Sequence, residues 1–386
     1  MKITRIEYFT LRCKVPNNHH MPTASFVTGG SIFLRVFTDN DIVGIGEPCP
    51  YGAKLSDMVQ ILQKDLIPSW IGTDPLDINK LTTQHETGIG YGNIGRNALI
   101  AGFSQALWDI RGKHEGKPLY KLINPDANNK IQAYASAGMW YDNSPLESIT
   151  DQALKYQSEG FTAFKLRPET PLVNNNHFQR ALKPPPVNVK RLVKLLIKIY
   201  NLTNGKLKLM VDAGCRLDFQ QALYLCEAME ELNCVFLEEP IHGNYKDYVR
   251  LKSMTKLSLA GGESLVTKAQ FKPWIEANAL DYLQPDANLA GITEIIDIDK
   301  LVYKKGLHLI LHNWTNDVNN LANIHLGAAL KSCIIVEANL TYNPLRNNLI
   351  EDPMVVSKGE FTLSNKPGLG IELNQSIVDK YSFNII

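Results

Sequence analysis

The chain has 386 residues, 44% of them hydrophobic and 20% charged, with a formal net charge of +1. That length suggests two domains, although one large α/β barrel can absorb more than half of it, and the composition is enough for a sizeable core. Near-neutral charge gives no general attraction to nucleic acid or anionic membrane, and no apolar run reaches the length of a membrane helix.

The six cysteines are scattered without a CxxC pair, which reads as reduced, mostly buried thiols in a cytoplasmic protein. The N-terminus alternates like a strand and has no signal-peptide apolar core. Residues 1–45 read as β, with runs at Ile3 to Arg12, Ser31 to Thr38 and Ile42 to Glu47, and with Asp39-Asn40 as a turn. The polar, turn-rich stretch Pro16 to Gly30 reads as a long loop, and the His19-His20 pair on it lacks further ligands at metal spacing. Three helical stretches follow, the clearest from Arg96 to Glu115. Together these predict an α+β domain over residues 1–130.

From residue 131 short β-like runs recur, each followed by a helical pattern: 131–136, 161–166, 207–212, 234–239, 257–263, 279–284, 307–312 and 332–337. Eight alternating units predict a (β/α)₈-type barrel over 131–352. The segment Glu169 to Lys190, rich in Asn and Pro, interrupts the spacing and reads as an insertion on a βα loop. The tail, 353–386, returns to a β-and-turn pattern and is expected to pack back on the first domain.

In such barrels the active site lies at the C-terminal ends of the strands. Those positions hold Lys165 and Arg167, Asp212, Glu238, Glu263, Asp286, His312 and Glu337. Asp212, Glu238 and Glu263 fall one βα unit apart, side by side around the mouth. Three carboxylates brought together must bind a cation or take up protons, and all-oxygen ligation suits Mg²⁺ first and Mn²⁺ second. Any one of them would more commonly be a helix N-cap; three on consecutive strands favour a metal centre. Asp286 and His312 end adjacent strands, so the carboxylate can fix the imidazole tautomer and raise its basicity. Lys165 and Arg167 alternate on one strand, so both can point inward, where an ion pair with the carboxylates is the plainer role. A GxGxxG match, Gly90 to Gly95, follows no strand and is rejected as a dinucleotide site.

The order of these residues, with ALWDIRGK, GKPLYKLI, FKLR, VDAG, FLEEP, GGES, QPDANLAGITE, LHNW, VEAN and KPGLGIEL, resembles the enolase superfamily and its mandelate racemase-like subgroup over nearly the whole chain. The resemblance implies a (β/α)₇β barrel under an N-terminal α+β capping domain. It implies that Asp212, Glu238 and Glu263 hold one Mg²⁺, which binds a small carboxylate substrate. His312, paired with Asp286, would take the α-proton, and an enediolate would be stabilised by the metal, Lys165 and Glu337 as a hydrogen-bonding electrophile. The loops at Pro16 to Gly30 and Glu47 to Lys54 would touch substrate, and a homo-oligomer is expected.

Two departures bear on the reaction. Arg167 stands where the subgroup has a second lysine, and arginine is a poor base because it stays protonated. Gly214 stands where many relatives carry asparagine. With one base left, the expected reaction is dehydration of a sugar acid to a 2-keto-3-deoxy acid. The alternatives are a racemase or epimerase of an α-hydroxy acid, and a metal-binding homologue without turnover.

Overall fold

The computed structural model describes residues 1–21, 24–82, 94–138, 140–141, 147–168 and 187–384, with residues 14–29 and 140–141 described by backbone alone. Strands β1 (Ile3–Met21), β2 (Ala24–Thr38) and β3 (Val43–Gly46) run antiparallel. The next strand, β4 (Lys130–Gly138), opens a second sheet, while β5 (Trp140–Tyr141) returns to the first, giving the order β3-β2-β1-β5. Pro16 to Gly30 is therefore not the loop its composition suggests. The backbone of His19 pairs with that of Phe26 and His20 with Ser25, and β5 takes up the other edge of the same residues. The Pro16-Asn17-Asn18 stretch falls within a register shift between Lys14 and His19 and does not end the strand. Turn-forming residues can be absorbed in an irregular pairing of this kind.

Helix Ile94–Glu115 has no wide polar face because it is covered on most sides, packing on β3 and on helix Gly291–Lys305. The approach to β3 depends on glycine: a Cβ at Gly46 would lie 1.9 Å from the Gly102 carbonyl oxygen. Gly46→Ala is expected to destabilise the protein by roughly 1–3 kcal/mol, as overpacking does, read as a lower denaturant midpoint. An unchanged midpoint would contradict the packing described.

The second sheet carries all eight anticipated strands. After β4 come β6 (Ala163–Leu166), β7 (Lys208–Asp212), β8 (Phe236–Glu238), β9 (Ser258–Gly261), β10 (Tyr282–Leu283), β11 (His308–Leu309) and β12 (Val336–Asn339). Neighbours are parallel from β12 through β4 and β6 to β11. The ring closes where Leu309 bridges Cys333 and its amide donates to the Ser332 carbonyl at 3.0 Å. Among the described residues seven helices connect the eight strands, which is the (β/α)₇β arrangement. Capping boxes start three of them, at Asp218 with Gln221, Asn244 with Asp247 and Thr267 with Gln270. Tyr134, Ala163, Met210, Phe236, Ala260 and Ile310, from six strands or their ends, form a compact apolar cluster.

In the tail, β13 (Val356–Ser357) and β14 (Glu360–Thr362) pair as a hairpin that lies on the start of β4. A helix the β-and-turn pattern did not suggest, Gln375–Tyr381, follows, started by the Asn374 side chain. Its end reaches β1, where the Phe383 amide donates to the Thr10 carbonyl at 3.1 Å. Among the described residues no helix is long and apolar enough to cross a membrane.

Candidate active site

The strand-end residues meet in three groups. On β6, Lys165 is 2% exposed and its ammonium lies 2.8 Å from Glu238 Oε2 and 2.7 Å from Glu337 Oε1. Burial opposes its charge, but Glu238 and Glu337 outweigh that and hold the ammonium well above the usual lysine range. Tyr134 carries its ring 5.4 Å beneath the ammonium, so the apolar cluster of the barrel adjoins the charged site. In the second group Arg167 lies 2.6 Å from Asp212 Oδ2 and covers the Trp314 ring at 4.7 Å. Burial again works against the cation, but Asp212 together with Glu263, Glu238 and Glu337 outweighs it, so the guanidinium is held above its ordinary range.

In the third group His312 Nδ1 is 2.8 Å from Asp286 Oδ2, and Nε2 is 2.9 Å from the Tyr51 hydroxyl and 3.4 Å from Glu263 Oε2. A carboxylate facing Nδ1 places a proton there and directs Nε2 to the reacting side. Burial disfavours the imidazolium, yet Glu263 and the bond to Asp286 raise the ring to about 10. Glu263 is the largest of the upward pulls, so any cation that neutralises it returns the ring toward its basic, neutral form. Asp286 is itself fixed by the Asn288 amide at 2.8 Å and the Asn319 and Asn323 side chains at 3.1 and 3.2 Å.

Asp212 and Glu238 are register partners on β7 and β8, and Glu263 follows β9. Burial raises Glu238 to about 8, with Asp212 and Glu337 adding to it and Lys165 opposing. Burial and the Asp212 charge likewise raise Glu263, against His312. Three repelling oxygen donors of this kind fit a hard divalent cation. Among the described residues no three acidic, histidine or cysteine side chains are already gathered as a cage; each carboxylate of this trio is turned to a different cation of the chain. The Gly214 amide donates to Asp212 Oδ1 at 2.9 Å, and Gly214 has φ +56°, a conformation asparagine also tolerates.

Glu337 accepts from Lys165, from the Asn313 amide at 3.0 Å and from Trp314 Nε1 at 2.9 Å. Burial would raise its carboxyl, but Lys165 and His312 prevail and keep it well below the usual range. In this state it is an ionised acceptor that holds Lys165, rather than a donor. Tyr51, Trp314, Gln284 (which donates to Glu238 at 2.8 Å) and the buried Glu47 were not singled out from sequence. Asn313, Trp314 and Gln284 sit inside motifs quoted above, and Tyr51 inside the loop expected to touch substrate. The GxGxxG match through Asn93, and the 169–190 segment up to residue 186, lie outside the described residues; that segment ends in helix Val189–Leu202, capped by Asn188.

Residues 148–377 match the family model described as enolase C-terminal domain-like, and residues 5–124 match the mandelate racemase / muconate lactonizing enzyme N-terminal domain. An arabinonate dehydratase of Saccharolobus solfataricus is 29% identical over 355 residues, covering 91% of this chain and 90% of that one. A D-galactonate dehydratase of Pectobacterium atrosepticum is 29% identical over 365 residues, 92% and 91% of the two chains. The crystal structure of an enolase superfamily member from Polaromonas sp. JS666 superposes with a TM-score of 0.85 at 26% identity, over 99% of this chain and 97% of that one.

Proposed function

The chain belongs to the mandelate racemase / muconate lactonizing enzyme family of the enolase superfamily, and on that premise we propose that it is a Mg²⁺-dependent hydro-lyase that dehydrates a sugar acid to a 2-keto-3-deoxy acid. The observation that carries the reading is the pairing of one orientated histidine, His312 on Asp286, with a second strand whose two cations are both locked in ion pairs. The two dehydratases similar to this chain support a small polyhydroxy carboxylate as substrate, and members of the superfamily bind Mg²⁺.

Asp212, Glu238 and Glu263 would hold the ion, which would supply fixed positive charge beside the substrate carboxylate. His312 Nε2 takes the proton from the α-carbon while Asp286 holds the ring and stabilises the imidazolium. The same imidazolium then protonates the departing β-hydroxyl, so the proton leaves as part of water. Lys165 meets charge developing on the carboxylate side, and Glu337 keeps that ammonium charged and in place. Arg167, paired with Asp212 and stacked on Trp314, serves as a fixed cation at the mouth.

Incubation with Mg²⁺ and a panel of aldonic and aldaric acids, galactonate and arabinonate included, is expected to give one acid whose mass falls by that of water. Turnover of α-hydroxy acids without a β-hydroxyl, and of none of the sugar acids, would reject the assignment.

A further inference from the structure

The capping domain reaches the acid–base pair through a closed set of hydrogen bonds that no strand-end reading includes. Glu47 follows β3 and is fully buried. Its Oε1 accepts from the Asn316 side chain at 2.8 Å, and its Oε2 from the Asn319 backbone at 3.1 Å, so the carboxylate sits on the start of helix Asp317–Ala329. Its own amide donates to Gln105 Oε1 at 3.0 Å, and Gln105 Nε2 donates to Asn319 Oδ1 at 2.7 Å. A backbone N–H can only donate, so this bond fixes which end of the Gln105 amide faces Glu47. The opposite end then fixes Asn319, whose NH₂ must point to Asp286 Oδ1, 3.1 Å away. The other oxygen of Asp286 holds His312.

Two further stitches come from the same segment. Asn288 accepts from the Cys49 amide at 2.8 Å and donates to its carbonyl at 3.1 Å, while its own amide donates to Asp286 Oδ1. Tyr51 reaches His312 Nε2. Residues 47 to 51 thus touch the histidine directly and both oxygens' surroundings on its carboxylate partner.

We infer that Glu47 is a positioning residue: its carboxylate holds the Asn319 backbone at the start of the helix, while Gln105 on the Glu47 amide holds the Asn319 side chain, and by anchoring that backbone the carboxylate fixes Asp286, so that seating of the capping domain sets the attitude of the His312 ring. The inference rests on His312 being the proton-transferring group, since only then does ring attitude matter to turnover. Plain stabilisation of the domain seam predicts something different. Cys13 also crosses this seam, donating to Asn343 Oδ1 at 3.2 Å; its link to Glu47 runs through Asn343 and Asn316 and bypasses Gln105 and Asn319.

The test is proton NMR of the full-length protein labelled with ¹⁵N-histidine, following the low-field Nδ1 proton shared between His312 and Asp286. His312→Asn assigns that resonance by its disappearance. Glu47→Ala is expected to shift it and speed its exchange with water, and Asn319→Ser to do the same. Glu47→Gln, which keeps one acceptor and the shape of the side chain, should recover part of the wild-type signal. Because burial already penalises the charge on Glu47, raising it to about 7, the glutamine variant is expected to fold. Cys13→Ala should leave the resonance where it is. An unchanged resonance in the Glu47 and Asn319 variants overturns the inference, as does an equal shift in Cys13→Ala. The readout needs no substrate, so it is separate from the assignment of His312 as base, which fails instead if His312→Asn retains exchange of the substrate α-proton.

Discussion

His312→Asn is expected to abolish both water loss and exchange of the substrate α-proton, a fall of about 10²–10⁴ in rate, while Mg²⁺ binding persists. The expectation follows from how the alternatives are held. Arg167 is a guanidinium and stays protonated, and Lys165 keeps Glu337 beside its ammonium even where Glu238 binds the ion, so neither offers a lone pair to the α-carbon. With His312 gone, no neutral base remains among the strand-end residues. Exchange is measured by the loss of the α-proton signal in D₂O. A racemase using two faces would keep exchange on one of them, so retained exchange in His312→Asn would restore Lys165 or Arg167 as a base. Asp286→Asn is expected to fall on a similar scale, because an amide facing Nδ1 permits the wrong tautomer.

The second large effect concerns the carboxylate trio. Glu238→Gln preserves shape and removes one charge, and it is expected to weaken Mg²⁺ binding by roughly 10–100-fold, since affinity for hard cations follows the number of charged oxygen ligands. Calorimetric titration of the protein with Mg²⁺ reads this directly, without substrate. Chelation should likewise abolish turnover in the wild type and Mg²⁺ restore it. Unaltered Mg²⁺ affinity in Glu238→Gln would remove this residue from the ligand set. The wild-type arrangement explains the direction: Glu238 is buried and repelled by neighbouring carboxylates, with Lys165 and Gln284 as its near partners, so its charge is incompletely compensated by the chain alone.

Much of the barrel was legible because strand ends recur one βα unit apart and each ends in a polar residue after an apolar run. Lys165, Asp212, Glu238, Asp286, His312 and Glu337 could be placed around one mouth from that spacing alone. What the spacing does not carry is partnership between distant segments. Tyr51 meets His312 across 261 positions, and Glu47 meets Asn319 across 272, with no periodic signal to join them. Pro16 to Gly30 misled for a different reason. Its turn-forming, polar composition argued against a strand, whereas pairing with β5 and a register shift let the backbone continue as sheet. Nor does strand position say whether the Glu337 carboxyl donates or accepts, which depends on the ammonium and N–H groups around it.

The most direct test of the proposed reaction is proton NMR of the wild-type protein with Mg²⁺ and a sugar-acid panel in D₂O. Dehydration through His312 predicts loss of water from one acid and a 2-keto-3-deoxy product carrying one solvent deuteron at C3, where the enol takes up its proton. Deuterium at the α-carbon of an otherwise intact acid, with its stereoisomer accumulating and no water lost, would contradict the dehydratase and establish a two-base isomerase in its place.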